Sequence, residues 1–242
     1  MNAKFTKGAA TRARIIRVAA DLFHKQGVGA TSPDQVIDAS ETGKGQFYHY
    51  FKSKEGLVHE VLKAYLDDIA RGTAPLSYEI NSWEDLERWF FSNLELQKKF
   101  GMTRGCPFGT IGNEVTENDE LIRQDLSLIF EVVKNKLAAF FIKEKARGRL
   151  SLDANEEQLA DFCIATIQGA MLLGKIKRNS QPVEGTVREA MEHLKHHAVA
   201  ANQRSGFHLK IQKPVKRRAV LPNQGTSQRV YQRTPQKQGP FS

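Results

Sequence analysis

The chain has 242 residues, 40% of them hydrophobic, which is enough to bury a core in one large domain or two smaller ones and excludes a wholly disordered protein. No run approaches the ~18 uninterrupted apolar residues of a membrane span, and the N-terminal stretch MNAKFTKGAATRAR has no apolar signal-peptide segment. The net charge of +9 suggests nucleic acid, but residues 201–242 carry nine Lys/Arg and no acid, while the remaining 27 basic residues are matched by 27 acidic ones. Overall charge therefore does not locate a binding face. The two cysteines, Cys106 and Cys163, form neither a CxxC pair nor a zinc-ligand spacing. A cytoplasmic protein is expected, with no membrane partner, metal or cofactor.

Between residues 11 and 27, Ile15, Val18, Ala19, Leu22 and Phe23 recur at the spacing of one buried helical stripe, and Gly27 is a natural stop. Ser32, Pro33, Asp34 and Gln35 then supply an N-cap, a first-turn proline, an acid at the positive helix end and the partner for a capping box. This second helix runs to about Ala39. Residues 40–43, Ser-Glu-Thr-Gly, read as a turn, and a third short helix follows from Lys44 to about Phe51. A fourth begins at Ser53, carries Leu57, Val58, Val61, Leu62, Tyr65, Leu66 and Ile69 on one stripe, and ends near Gly72.

Beyond a link containing Pro75, helical spacing returns with Trp83, Leu86, Phe90 and Leu94, and again with Leu121, Ile122, Ile129, Val133, Leu137 and Phe140. Two further helices are expected over residues 156–176 and 184–200. No segment has the alternation of a strand, so the fold class is all-α: an N-terminal three-helix helix-turn-helix domain (residues 8–54), joined by a long helix to a C-terminal helical domain (residues 55–200). Residues 201–242, rich in Gln, Pro, Gly, Ser and basic side chains, read as a disordered basic tail.

Two short helices joined by a four-residue turn have the layout of a helix-turn-helix, whose last helix enters the DNA major groove. In KGQFYHYFKSK, Phe47 and Phe51 lie at i and i+4 and anchor the helix, leaving Lys44, Gly45, Tyr48 and His49 on the other side. Burying all of Phe-Tyr-His-Tyr-Phe would instead demand partners for two phenols and an imidazole.

The stretches RIIRVAADLFHKQGVGATS and KGQFYHYFKSKEGL make residues 12–58 resemble the DNA-binding domain of the tetracycline-repressor (TetR) family. The resemblance implies a repressor that binds palindromic double-stranded operator DNA as a homodimer and is released by a small-molecule effector; it does not imply an enzyme. By the same resemblance Lys44, Gly45, Gln46 and His49 face bases or the groove wall, and Thr31, Tyr48, Tyr50 and Lys54 hold phosphates. The turn departs from the family's usual Ala-Gly-Val-Ser. Glu41 occupies a place that glycine fills more easily, and it adds an acid near DNA.

Dimerisation is expected on the last two helices, where ATIQGAMLLG sets small residues beside long apolar ones. The candidates are Thr166, Gly169, Ala170, Leu173, Met191 and Leu194. For the effector, Trp89, Phe90, Cys106, Phe108 and Phe130 are drawn from the aromatic middle region. Gly105-Cys106-Pro107-Phe108-Gly109 is similar to a Gly-Cys-x-x-Gly segment in a subset of such regulators, some of which sense electrophiles. Its glycines and proline predict a non-helical corner, and Arg104 beside Cys106 suggests a lowered thiol pKa; the plainer reading is a buried small hydrophobe. His193 and His197 share a helix face but lack a third metal ligand. Two rival classes are an enzyme with Cys106 as nucleophile, for which no orienting partner is visible, and an architectural DNA binder acting through the basic tail.

Overall fold

The computed structural model describes residues 7–198, which form nine α-helices; among the described residues the only strand-like pairing is a lone bridge between Leu150 and Ala198. The expected basic tail lies outside the described residues. In chain order the helices are α1 (Lys7–Gln26), α2 (Pro33–Ala39), α3 (Lys44–Phe51), α4 (Lys54–Arg71), α5 (Trp83–Lys99), α6 (Pro107–Gly112), α7 (Glu120–Ala146), α8 (Glu156–Lys177) and α9 (Gln181–His196).

The ends of the early helices are set by local chemistry. Gly27, at φ 88°, turns the chain out of α1. Ser32 caps α2 in a reciprocal box: its Oγ accepts from Gln35 N–H at 3.2 Å, and Gln35 Oε1 accepts from Ser32 N–H at 2.8 Å. Ser53 caps α4 by accepting from Gly56 N–H at 3.0 Å, and Gly72 closes that helix in the left-handed region.

Two boundaries differ from expectation. The last helix starts at Gln181 because Pro182 is tolerated in a first turn, where no N–H is needed. Cys106 has the non-helical backbone expected of it, extended at the N-cap, but residues 107–112 then form a short helix, α6: Pro107 opens it, Phe108 and Ile111 bury its inner face, and glycines in the middle are tolerated because packing decides. Gly109 approaches α8 closely, since a Cβ there would lie 2.7 Å from Gln168 Oε1 and that side chain would have to move.

Helices α1 to α4 share a core of Ile15, Phe23, Val36, Phe47, Phe51 and Leu57. The other side of α4 packs on α7, which packs on α8, which packs on α9, while α5 closes against α8 and α9. By length and composition α8 is apolar enough to cross a membrane, yet Leu159, Ala160, Cys163, Ile167 and Met171 line the core of this bundle. The one buried carboxylate of α7, Glu144, accepts from Arg149 Nε at 2.8 Å and from Arg147 at 3.2 Å; these bonds hold its pKa below the usual range.

Candidate nucleic-acid interface and ligand cavity

Helix α3 stands on two buried anchors. Phe47 and Phe51 are turned into the core, their rings 5.5 Å apart, while Lys44, Gly45, Gln46, Tyr48 and His49 are exposed on the outer side. Tyr48 keeps 43% of its surface open and lies edge-on to Phe47 at 5.2 Å, so its hydroxyl is presented by a ring that packing holds in place. No atom lies within 4 Å of where a Cβ on Gly45 would sit, which leaves room for a groove wall. Lys44 bridges to Asp34 at 3.1 Å with both side chains about two-thirds exposed, a pair that a phosphate can displace at little cost.

Glu41 adopts φ 50°, the left-handed conformation that the turn demands of a residue other than glycine. Arg14 of α1 holds the turn by donating to Ser40 O at 2.8 Å and Glu41 O at 3.4 Å. Nothing in the sequence marks this role, because the partners are main-chain carbonyls. Tyr50 is half-buried, its hydroxyl close to Gly8, and Lys54 opens α4 with its ammonium 3.5 Å from Gly29 O. Thr31 is a correction: it is 1% exposed and donates its hydroxyl to Gly27 O at 2.7 Å, so that side chain is an internal brace and the neighbouring Ser32 lies at the surface.

The segment carrying Cys106 is keyed to α1 and its following turn. Arg104 pairs with Asp21 at 2.6 Å and lies over the Phe100 ring; His24 Nε2 donates to Gly105 O at 2.7 Å; Gly29 N–H donates to Glu114 Oε2 at 2.6 Å. On α4, His59 pairs with Asp125 of α7 at 2.7 Å. The hydrogen-bonded partners among these are separated by 66 to 85 positions, beyond the reach of any periodicity argument.

Burial lowers the pKa of His24, opposed by the bond to Gly105 O and reinforced by Arg104. The neutral imidazole is therefore the folded form. The unfolded chain takes up a proton near the ordinary value of 6.5 and the folded chain only below it, so stability is full above that value and is lost as pH falls through it. Thermal midpoints taken from about pH 8 to about pH 5.5 should fall less for His24→Gln, which has no titrating ring, than for the parent protein.

A cavity of about 180 Å³ lies between the end of α4 (Tyr65, Asp68, Ile69), residues 74–78, α5 (Asn93, Leu96, Gln97) and the start of α6, with Met171 of α8 at its wall. Of the expected effector residues, Cys106 and Phe108 line it. Trp89 and Phe90 do not: they face the α5 core, rings 4.9 Å apart. Phe130 stands behind Phe108 at 6.2 Å. For Cys106 the plainer reading, a buried small side chain, holds and the lowered pKa is reversed: burial pushes the thiol up, Gly109 N–H and Gln168 only partly offset it, and Arg104 is committed to Asp21 and Phe100.

The last two helices divide the remaining candidates. Ala170, Met191 and Leu194 are buried inside the protomer and cannot meet a partner. Thr166 is half-buried, Gly169 and Leu173 are exposed, and Leu172 and Ile176 extend the same outward stripe of α8, Ile176 with 68% of its surface open. Residues 166, 169, 173 and 176 fall three and four apart, which is one helix face.

A short helix held from within by aromatic anchors, preceded by a braced turn and carrying its polar side outward, defines a helix-turn-helix DNA-binding protein. Residues 15–61 match the family model for bacterial regulatory proteins of the tetR family, and residues 84–191 match that for the tetracyclin repressor-like C-terminal domain. An uncharacterised helix-turn-helix regulator from the lacX 3′ region of Lactococcus lactis subsp. lactis is 30% identical over 184 residues, covering 72% of this chain and 88% of its own. The transcriptional repressor DhaR of Mycobacterium sp. strain GP1 is 27% identical over 175 residues, 72% of this chain and 86% of its own. A crystal structure of a TetR regulatory protein from Rhodobacter sphaeroides, 25% identical, superposes with a TM-score of 0.67 over 78% of this chain and 99% of its own. The chain belongs to the TetR family and is a DNA-binding transcriptional regulator.

Proposed function

We propose that the protein is a cytoplasmic repressor that binds a palindromic operator as a homodimer and lets go when a small molecule enters the cavity beside α4. The observation that carries this reading is the outward face of α3, where Lys44, Gly45, Gln46, Tyr48 and His49 are exposed; we assign Lys44, Gly45, Gln46 and His49 to base edges, and Tyr48, with the half-buried Tyr50 and Lys54 at the start of α4, to the flanking phosphates. Ser32, at the exposed N-terminus of α2, replaces Thr31 as the phosphate contact: its Oγ accepts from Gln35 N–H and keeps its own hydrogen to donate to a phosphate oxygen.

Two reading heads are needed for a palindrome, and the outward face of α8, Gly169, Leu172, Leu173 and Ile176, joins the protomers. An 18-residue helix is about 27 Å long. Helix α4 thus reaches from Lys54, next to α3, to Tyr65 and Ile69 at the cavity wall. A ligand that fits the cavity better when α4 is tilted changes the separation of the heads, and lowers operator affinity by its differential affinity for the two states.

The test is a set of single substitutions read by fluorescence anisotropy across a salt series. Tyr48→Phe and Lys54→Ala should weaken binding to every DNA sequence, and loss of the Lys54 contact should reduce the slope of log affinity against log salt by about one. Gln46→Ala should instead change the preferred sequence. Altered base preference in Tyr48→Phe, or an unchanged slope in Lys54→Ala, would contradict the assignment.

A further inference from the structure

We infer that the cavity beside α4 takes a small uncharged aromatic molecule of about one ring that carries a hydrogen-bond donor, such as a phenol, and that Gln97 Oε1 is the group that receives the donor. This rests on the reading of the cavity as the effector site and gives that site a ligand class.

Size comes first. A cavity of about 180 Å³ is close to the ~150 Å³ engineered cavity that holds one benzene, and well below the ~300–1,000 Å³ usual for drug-sized ligands. Its walls suit a flat ring. Phe108 and Tyr65 already meet edge to face at 5.3 Å, and Ile69, Pro107 and Met171 complete an apolar lining.

The polar requirement follows from Gln97, which is 1% exposed. Its Nε2 donates to Gly105 O at 2.8 Å, and a carbonyl oxygen can only accept, so the orientation of the amide is fixed. Gln97 Oε1 is then left over, buried, on a residue that lines the cavity, and without any hydrogen-bond partner. A buried acceptor without a partner is costly, and a ligand O–H or N–H repays that cost on entry, which makes the site discriminate for a donor.

The lining favours an uncharged ligand. Asp68 is the one formally charged side chain at the wall, and its carboxylate is engaged by Thr73 at 2.8 Å and Arg71 at 3.3 Å. No Lys, Arg or His lines the cavity to pair with an anion. A cation would meet, beside an amide oxygen and protonated phenols, only the Asp68 carboxylate, whose Oδ1 is already taken by Thr73 and Arg71. Burial pushes the Tyr65 phenol up to about 12, which reports how poorly the site tolerates charge, and Tyr78 is shifted in the same direction.

The experiment is a fluorine NMR titration of the full chain with para-fluorophenol, para-fluorotoluene and para-fluorobenzoate. The expected order is para-fluorophenol about tenfold tighter than para-fluorotoluene, the worth of one hydrogen bond to a buried acceptor, with no binding of para-fluorobenzoate. Gln97→Met should bind para-fluorophenol and para-fluorotoluene equally. If that variant does not fold, the ranking in the parent protein decides by itself. Equal affinity for the first two probes in the parent protein, tighter binding of the benzoate, or binding of none of the three overturns the assignment. Operator affinity measured on the same samples separates this inference from the effector reading: the predicted ranking with unchanged operator affinity upholds the ligand class and overturns the effector role.

Discussion

The double substitution Leu173→Glu, Ile176→Glu should convert the protein to a monomer whose operator affinity is lower by about 10²–10⁴-fold. Both side chains are exposed on the outer face of α8, so in an isolated protomer their replacement removes little packing. In a dimer the same positions place four carboxylates in a closed apolar seam, where unpaired charge is costly. Once the protomers separate, the second half-site is no longer held near the first and the advantage of a linked pair disappears. Sedimentation gives the mass and anisotropy the affinity, with circular dichroism to show that the fold persists. A variant that stays dimeric, or a monomer that binds as tightly as the parent, contradicts the assignment of this face.

The second large effect is expected from Phe47→Ala. Phe47 is fully buried and contacts both Tyr48 and Phe51, so its removal leaves a ring-sized void under the helix that carries the reading residues. Such truncations cost ~3–5 kcal/mol, against a total of ~5–15 kcal/mol for a domain. Specific DNA binding should disappear while the dimer survives, because the outward face of α8 is on a different part of the chain. Phe47→Leu should lose much less. Unchanged melting and operator binding in Phe47→Ala would show that Phe47 does not anchor α3.

What the sequence made legible is what short-range rules govern. The capping box of Ser32 and Gln35, the stop at Gly27, the strained turn at Glu41 and the inward-facing pair Phe47 and Phe51 each depend on residues a few positions apart, and each is present in the structure. Thr31 was assigned to phosphate by resemblance, yet its hydroxyl is spent on Gly27 O; only the folded geometry reveals that Ser32 is the outer of the two. Ala170, Met191 and Leu194 share their helices with exposed residues, and which side meets α7 or the α8–α9 seam depends on tertiary packing that composition does not encode.

The cavity was the least legible feature. Trp89 and Phe90 have the aromatic bulk expected of a ligand pocket but fill the α5 core, whereas Asn93 and Gln97, one turn apart on α5, carry no motif and meet Tyr78 of the preceding link only in the folded chain. The raised Cys106 pKa has the same origin. Sequence places Arg104 next to it, but the fold turns that guanidinium toward Asp21 and Phe100 and buries the thiol.

The central claim, that α3 of each of two protomers reads one half of a palindrome, is tested most directly by selecting DNA from a random pool with the full chain. The predicted result is enrichment of an inverted repeat whose half-sites are centred about 34–36 Å apart, one helical turn or a multiple of it, as successive major grooves require. Recovery of a single unrepeated motif, or no enrichment over the starting pool, would contradict the account.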